Sequence, residues 1–171
     1  MITLVRAMIE IALHRRGPED LPASAFLFQL VLLAYIVVGV LSSAFYSSDP
    51  LDLARQAALD LGLFFAFFWS VLGIYRKPER RLQTFTALLG TGSLLTAFAI
   101  PLYFWRHVTG GEQSTALLPA LGIFALLLWS LSVTGHILHH ALEIPYLGGV
   151  ILAMGYFTLN VALFAMLLPP P

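Results

Sequence analysis

Cysteine is missing from the chain, which excludes disulfides, thiolate metal sites and cysteine nucleophiles and leaves the redox compartment unmarked. Charge is almost as scarce. Only 11% of the 171 residues are charged, against about 25% in ordinary globular chains, and a soluble domain of this size could not cover its surface with so few. The nine basic and nine acidic residues cancel, so no positive field marks a nucleic-acid partner. The amino terminus lacks the order of a secretory signal, because Arg15 and Arg16 follow the first apolar run and Glu10 interrupts it. That segment is expected to be retained.

Apolar residues fill the space these absences leave, at 59% of the chain. A bilayer core of about 30 Å needs about 20 apolar helical residues at 1.5 Å each. Five runs meet that length, at about 25–46, 57–75, 82–105, 116–139 and 145–168. The expected fold is all-α: a polytopic membrane protein with a five-transmembrane-helix bundle over residues 23–171. Residues 1–22 precede it as an amphipathic helix and linker. Arg6, Glu10 and His14 form a polar stripe there, with Val5, Ile9 and Leu13 largely off it. Such a helix lies in the membrane interface, or alternatively packs against the bundle.

Punctuation between the spans is specific. Asp20 or Ser24 is placed to cap the first span, and Asp49-Pro50 with Asp52 is a helix-start signature. Thr86, Gly90, Ser93 and Ala97 share one face of the third span, and Gly149 and Ala153 lighten the fifth. Small residues of this kind let helices approach closely in lipid. Tyr103, Phe104 and Trp105 form an interfacial aromatic belt after Pro101.

Three groups of residues carry candidate chemistry. His136, His140 and Glu143 recur at i, i+4 and i+7, a spacing that aims two imidazoles and a carboxylate at one divalent metal ion such as zinc. This is the one cofactor the sequence suggests; otherwise none is expected. The bland alternative places these histidines at the membrane–water boundary, bonded to backbone, head groups or carboxylates. The topology lets His14 approach the same side and puts His107 on the other. Asp60 and Asn160 are polar residues within spans, where such groups count as functional hypotheses by default; Asp60 also has structural partners to hand in Arg106 or interfacial water. Arg76, Lys77, Arg80 and Arg81 form a basic loop that fixes topology and suits anionic lipid or an acidic partner. With the amino terminus in the cytosol, seven of the nine basic residues fall on the cytosolic side and only Arg55 and Arg106 opposite. The carboxyl terminus is then periplasmic.

The third span, QTFTALLGTGSLLTAFAIPL, and the later WSLSVTGHILHHAL, together with five closely spaced spans and short loops, resemble bacterial members of the Yip family of small membrane proteins. The Asp-Leu-x-Gly-Pro type of motif found in eukaryotic members is absent. The resemblance implies a five-span fold from the first span onward and brings no established catalytic activity with it. The leading expectation is a non-enzymatic accessory, scaffold or assembly subunit in the bacterial inner membrane. It would act through lipid, other integral membrane proteins or self-association. The alternatives are a small transporter or channel using Asp60 and Asn160, and a metal-dependent membrane enzyme centred on His136 and His140.

Overall fold

The structure, a computed structural model, describes residues 2–46, 48–109 and 113–167, and its regular elements among them are all helical. Six α-helices follow in order: α1 Ile2–Ala12, α2 Ala25–Ser43, α3 Pro50–Ile74, α4 Arg81–Val108, α5 Gln113–Leu142 and α6 Tyr146–Leu167. Short 3-10 turns, Pro18–Asp20 and Pro78–Arg80, precede α2 and α4. Five helices, α2 to α6, are long and apolar enough to cross a membrane. The expected end of the fifth span at residue 168 lies outside the described residues.

Local chemistry sets the boundaries. The Ser24 side chain accepts the Leu27 N–H at the start of α2, and the Asp49 carboxylate accepts the Leu51 N–H with Pro50 in the first turn of α3. Among the described residues, three helices end on a residue in the left-handed region: His14 (φ 60°) after α1, Arg76 (φ 57°) after α3 and Glu143 (φ 57°) after α5. Each end is closed by a bond reaching back to an earlier carbonyl, Arg15 N–H to Glu10, Lys77 N–H to Leu72 and Ile144 N–H to His139. Glycine is the usual residue in that conformation, so three larger side chains held there are a marked local feature.

Short connections make successive spans antiparallel. One end of the bundle gathers the end of α1, the start of α2 and the histidines of α5; the far end gathers the α2–α3 connection and Arg106. Helix α4 is the centre, with α1, α2 and α5 packed on it, while α6 packs on α5 and α3 closes the bundle more loosely. The core is concentrated toward the histidine end. An unbroken buried run, Thr84 to Thr91, occupies the first half of α4, against Phe64, Phe68, Val71 and Leu72 of α3 and Val133, Ile137 and Leu138 of α5. In the far half of α4 only Leu95 and Ala99 are buried.

Helix α1 takes the second of its two sequence-based alternatives. Met8, Ile11 and Ala12 are buried in the bundle core, and Leu4 and Met8 border a groove with Leu30 and Ala34 of α2 and Ser93 of α4. Val5, Ile9 and Leu13 are the exposed apolar residues. Apolar side chains thus occupy more of the helix surface than a single stripe, and Glu10 joins Arg6 (3.0 Å) to Arg16 (2.8 Å). The Trp129 Nε1–H donates to the Ala12 carbonyl at 2.9 Å and fixes the end of α1 to α5.

Most of the small residues of the third and fifth spans are used inside the chain. Gly90 lies beneath Met8, so a Cβ there would collide with the thioether. Gly149 faces Gly135 across the α5–α6 crossing, where a Cβ would fall on the Gly135 carbonyl and 3.0 Å from the His139 nitrogen. Thr86 and Ala153 are buried, the Ser93 hydroxyl donates to its own Gly90 carbonyl, and Ala97 is exposed. Close approach of α1 to α4 and of α5 to α6 is what these positions permit.

Candidate functional site

Asp60 stands ten residues after Pro50, about 15 Å along α3 from the far end. The packing of three helices brings it together with Asn160, the other intramembrane polar residue singled out from sequence. The Tyr35 hydroxyl of α2 donates to Asp60 Oδ2 at 2.7 Å, and the Asn160 amide of α6 donates to Oδ1 at 3.2 Å. Pairing of Asp60 with Arg106, considered from sequence, is replaced by these two partners. Tyr156, one turn before Asn160 on α6, packs its ring against Phe64, Phe67 and Phe68 and walls the group off from the histidine end.

A cavity of about 220 Å³ lies on the far-end side of this carboxylate. Tyr35, Gly39 and Ser43 of α2, Gln56 and Asp60 of α3, and Phe164 of α6 are among its lining residues. A second cavity of about 420 Å³ lies among α2, α4, α5 and α6, lined by Thr96, Tyr103 and Ser130. Tyr35 borders both. Its ring occupies room left by Gly92, where a Cβ would approach Tyr35 Cε2 to 3.3 Å. One tyrosine therefore joins the carboxylate site to the larger cavity.

The histidine end is built differently. His14, His136, His140 and His139 form a row with neighbouring ring centroids 4.6–4.9 Å apart. His14 reaches the row because the left-handed turn after α1 aims it at α5. There Ser132 Oγ lies 2.9 Å from His14 Nε2 and 2.9 Å from the Tyr146 hydroxyl. His136 Nε2 meets the Arg16 carbonyl at 2.9 Å, and His139 Nδ1 meets the Ile144 carbonyl. A carbonyl only accepts, so each of those nitrogens carries its proton. His140 Nδ1 donates to Glu19 Oε1 at 2.8 Å.

Glu143 stands apart from this row. Its two oxygens take Lys77 Nζ and Arg80 Nη2, each at 2.6 Å, and Arg80 Nη1 also donates to the His140 carbonyl at 2.8 Å. The hydrogen bond and charge of Lys77, with the charge of Arg80, hold the Glu143 carboxyl below the usual carboxylate range. Among the described residues no group of three or more His, Asp or Glu side chains is arranged to hold a metal ion. Two of the basic-loop residues are thus engaged with the end of α5, and the Arg81 guanidinium lies over the Trp69 ring at 3.9 Å from its centroid. Arg76 is exposed.

Sequence reasoning missed Tyr35, Tyr156, Glu19 and Tyr146. Each reads as an ordinary aromatic or loop acid, and only the partner across the bundle gives it a role. No protein-family description, curated protein or solved structure matches this chain.

Proposed function

We propose that this chain is a multi-pass protein of the bacterial inner membrane that takes a positively charged solute to Asp60, as a small carrier or channel. The single observation that supports it most is a membrane-depth carboxylate with two donors, set at the wall of a cavity on the far-end side. A buried carboxylate is costly in lipid and is retained where it serves an ion or solute path. Most of the small residues that favoured a scaffold from sequence, Thr86, Gly90, Gly149 and Ala153, are covered by neighbours within the chain, while Ala97 is exposed. Under the positive-inside rule the histidine end and the amino terminus are cytosolic, and the Asp60 cavity faces the periplasm. Lipid covers the exposed apolar faces, and Arg76 meets anionic head groups.

Flux of monovalent cations into proteoliposomes tests this reading. Uptake by the wild type that is lost in Asp60→Ala supports it; no cation flux and no cation binding would remove it. Reporter fusions before α1 and after α6 test the orientation, which fails if the latter is active in the cytosol.

A second reading keeps the accessory role and the resemblance to the Yip family. Gly62 and Gly155 are exposed on α3 and α6 with open space where a Cβ would sit, which suits approach by a helix from another chain or a second copy. Crosslinking in intact membranes tests it; a solitary monomer counts against it.

A further inference from the structure

We infer that the ligand of the Asp60 cavity is a small protonated amine with an apolar body, rather than a bare metal cation. This rests on the reading of Asp60 as a cation site and narrows it. The polar atoms around the carboxylate favour an ammonium. Tyr35 and Asn160 both point a hydrogen toward Asp60, one on each oxygen. They fix the carboxylate and leave its remaining lone pairs for an incoming donor. The Ser42 hydroxyl donates to the Val38 carbonyl of its own helix at 3.0 Å, which leaves its oxygen lone pairs as an acceptor on the cavity wall. A hard cation stripped of water needs about six oxygens closing around it. An ammonium needs directed acceptors, and a carboxylate with one more acceptor such as the Gln56 carbonyl supplies them.

Size points the same way. A cavity of about 220 Å³ is several times the ~30 Å³ share of one water molecule. A bare alkali ion at Asp60 would leave most of it to be filled by water. The walls away from Asp60 are mainly apolar: Ile36, Val40, Leu53, Ala57, Leu61 and the Phe164 ring. Such walls suit a hydrocarbon body and give no reward to hydration water. Two aromatic rings add to this. Tyr35 and Phe164 line the cavity that Asp60 borders, and an ammonium within about 6 Å of a ring face is attracted by it. Tyr35 then serves twice, orienting the carboxylate through its hydroxyl and offering its ring to the cation. It is the specificity-determining residue of the site.

The test uses full-length protein in lipid nanodiscs at pH 7, with isobutylammonium, the neutral isobutanol, sodium and potassium titrated separately by calorimetry. Expected is saturable binding of isobutylammonium, none of isobutanol, and no competition from equimolar sodium or potassium. Affinity should fall at least tenfold in Asp60→Asn and severalfold in Tyr35→Leu. A hydrophobic carbodiimide provides a readout that needs no variant, since bound amine should lower the total of acylurea and isobutylamide formed at Asp60, both followed by peptide mass. Sodium or potassium binding that depends on Asp60 while the amine fails to bind would overturn the amine and leave the cation site standing. No binding by any cation would overturn both. Equal amine binding by wild type and Asp60→Asn, or no protection of Asp60, would move the amine out of this cavity.

Discussion

The two ends of this bundle solve the same packing problem in opposite ways. At the histidine end, α1 fills the space beside α4 and α5, a buried run from Thr84 to Thr91 forms the core, and Glu143 joins Lys77 and Arg80 across two connections. At the far end α4 keeps only two buried side chains, and two cavities meet at Tyr35. In lipid, helix association depends on close contact and hydrogen bonds rather than on escape from water. A bundle tied firmly at one end can therefore leave the other end open without coming apart. The far end is where Asp60 borders a cavity.

That contrast can be broken most strongly from the tight end. Phe68→Ala removes a ring that is 1% exposed, and a loss of about 3 to 5 kcal/mol is expected. Phe164→Ala, which only enlarges an existing cavity, should cost less than half as much. Unfolding in mixed detergent measures both, and equal losses would erase the distinction between the ends. Gly149→Val comes next, because the α5–α6 crossing leaves no room for a side chain. Overpacking there should cost about 2 to 3 kcal/mol, while Gly155→Val in open space should be nearly silent.

Trp129→Phe keeps the packing and removes the bond to the Ala12 carbonyl. About 1 kcal/mol is expected, expressed as faster amide exchange in residues of α1 and little change in α6. Uniform acceleration would mean that α1 is not separately tied. Acid should loosen the Lys77–Glu143–Arg80 link. Because the folded pKa of Glu143 is depressed, its contribution is complete above the unfolded value of about 4.3 and is lost as pH falls through the folded value. Melting curves between pH 7 and 3 should show this loss in the wild type and not in Glu143→Gln. The smallest effect has the opposite sign. Arg76→Gly relieves a left-handed residue that is exposed and should raise stability by up to about 1 kcal/mol. A fall instead would show that the Arg76 side chain carries weight at this end.

Much of the fold was legible because helix formation in an apolar chain is local. The lengths of the uncharged runs mark the spans, Ser24 and Asp49 announce the helix starts they cap, and the connections were too short to permit anything but antiparallel neighbours. The place of α1 was legible only as two alternatives, since Met8 and Ile11 look no different from Val5 and Ile9 until Gly90 opens a seat for Met8 and the bundle core closes over Ile11. The candidate site divided in the same way. Asp60 and Asn160 drew attention as polar groups in apolar helices, yet nothing in the string links positions 100 residues apart. Glu143 shared a helical spacing with His136 and His140, but spacing reports a face of one helix. It does not report the Lys77 and Arg80 side chains arriving from another.

By itself the sequence determined that this chain is helical, with five segments able to cross a membrane, because backbone hydrogen bonds and apolar length are properties of each segment alone. Only the tertiary structure decided that α1 is packed into the bundle, that Tyr35 and Asn160 hold Asp60 beside a cavity, and that Glu143 belongs to the basic loop. Those outcomes depend on which helix faces meet, and that is settled by the shape of side chains on different segments.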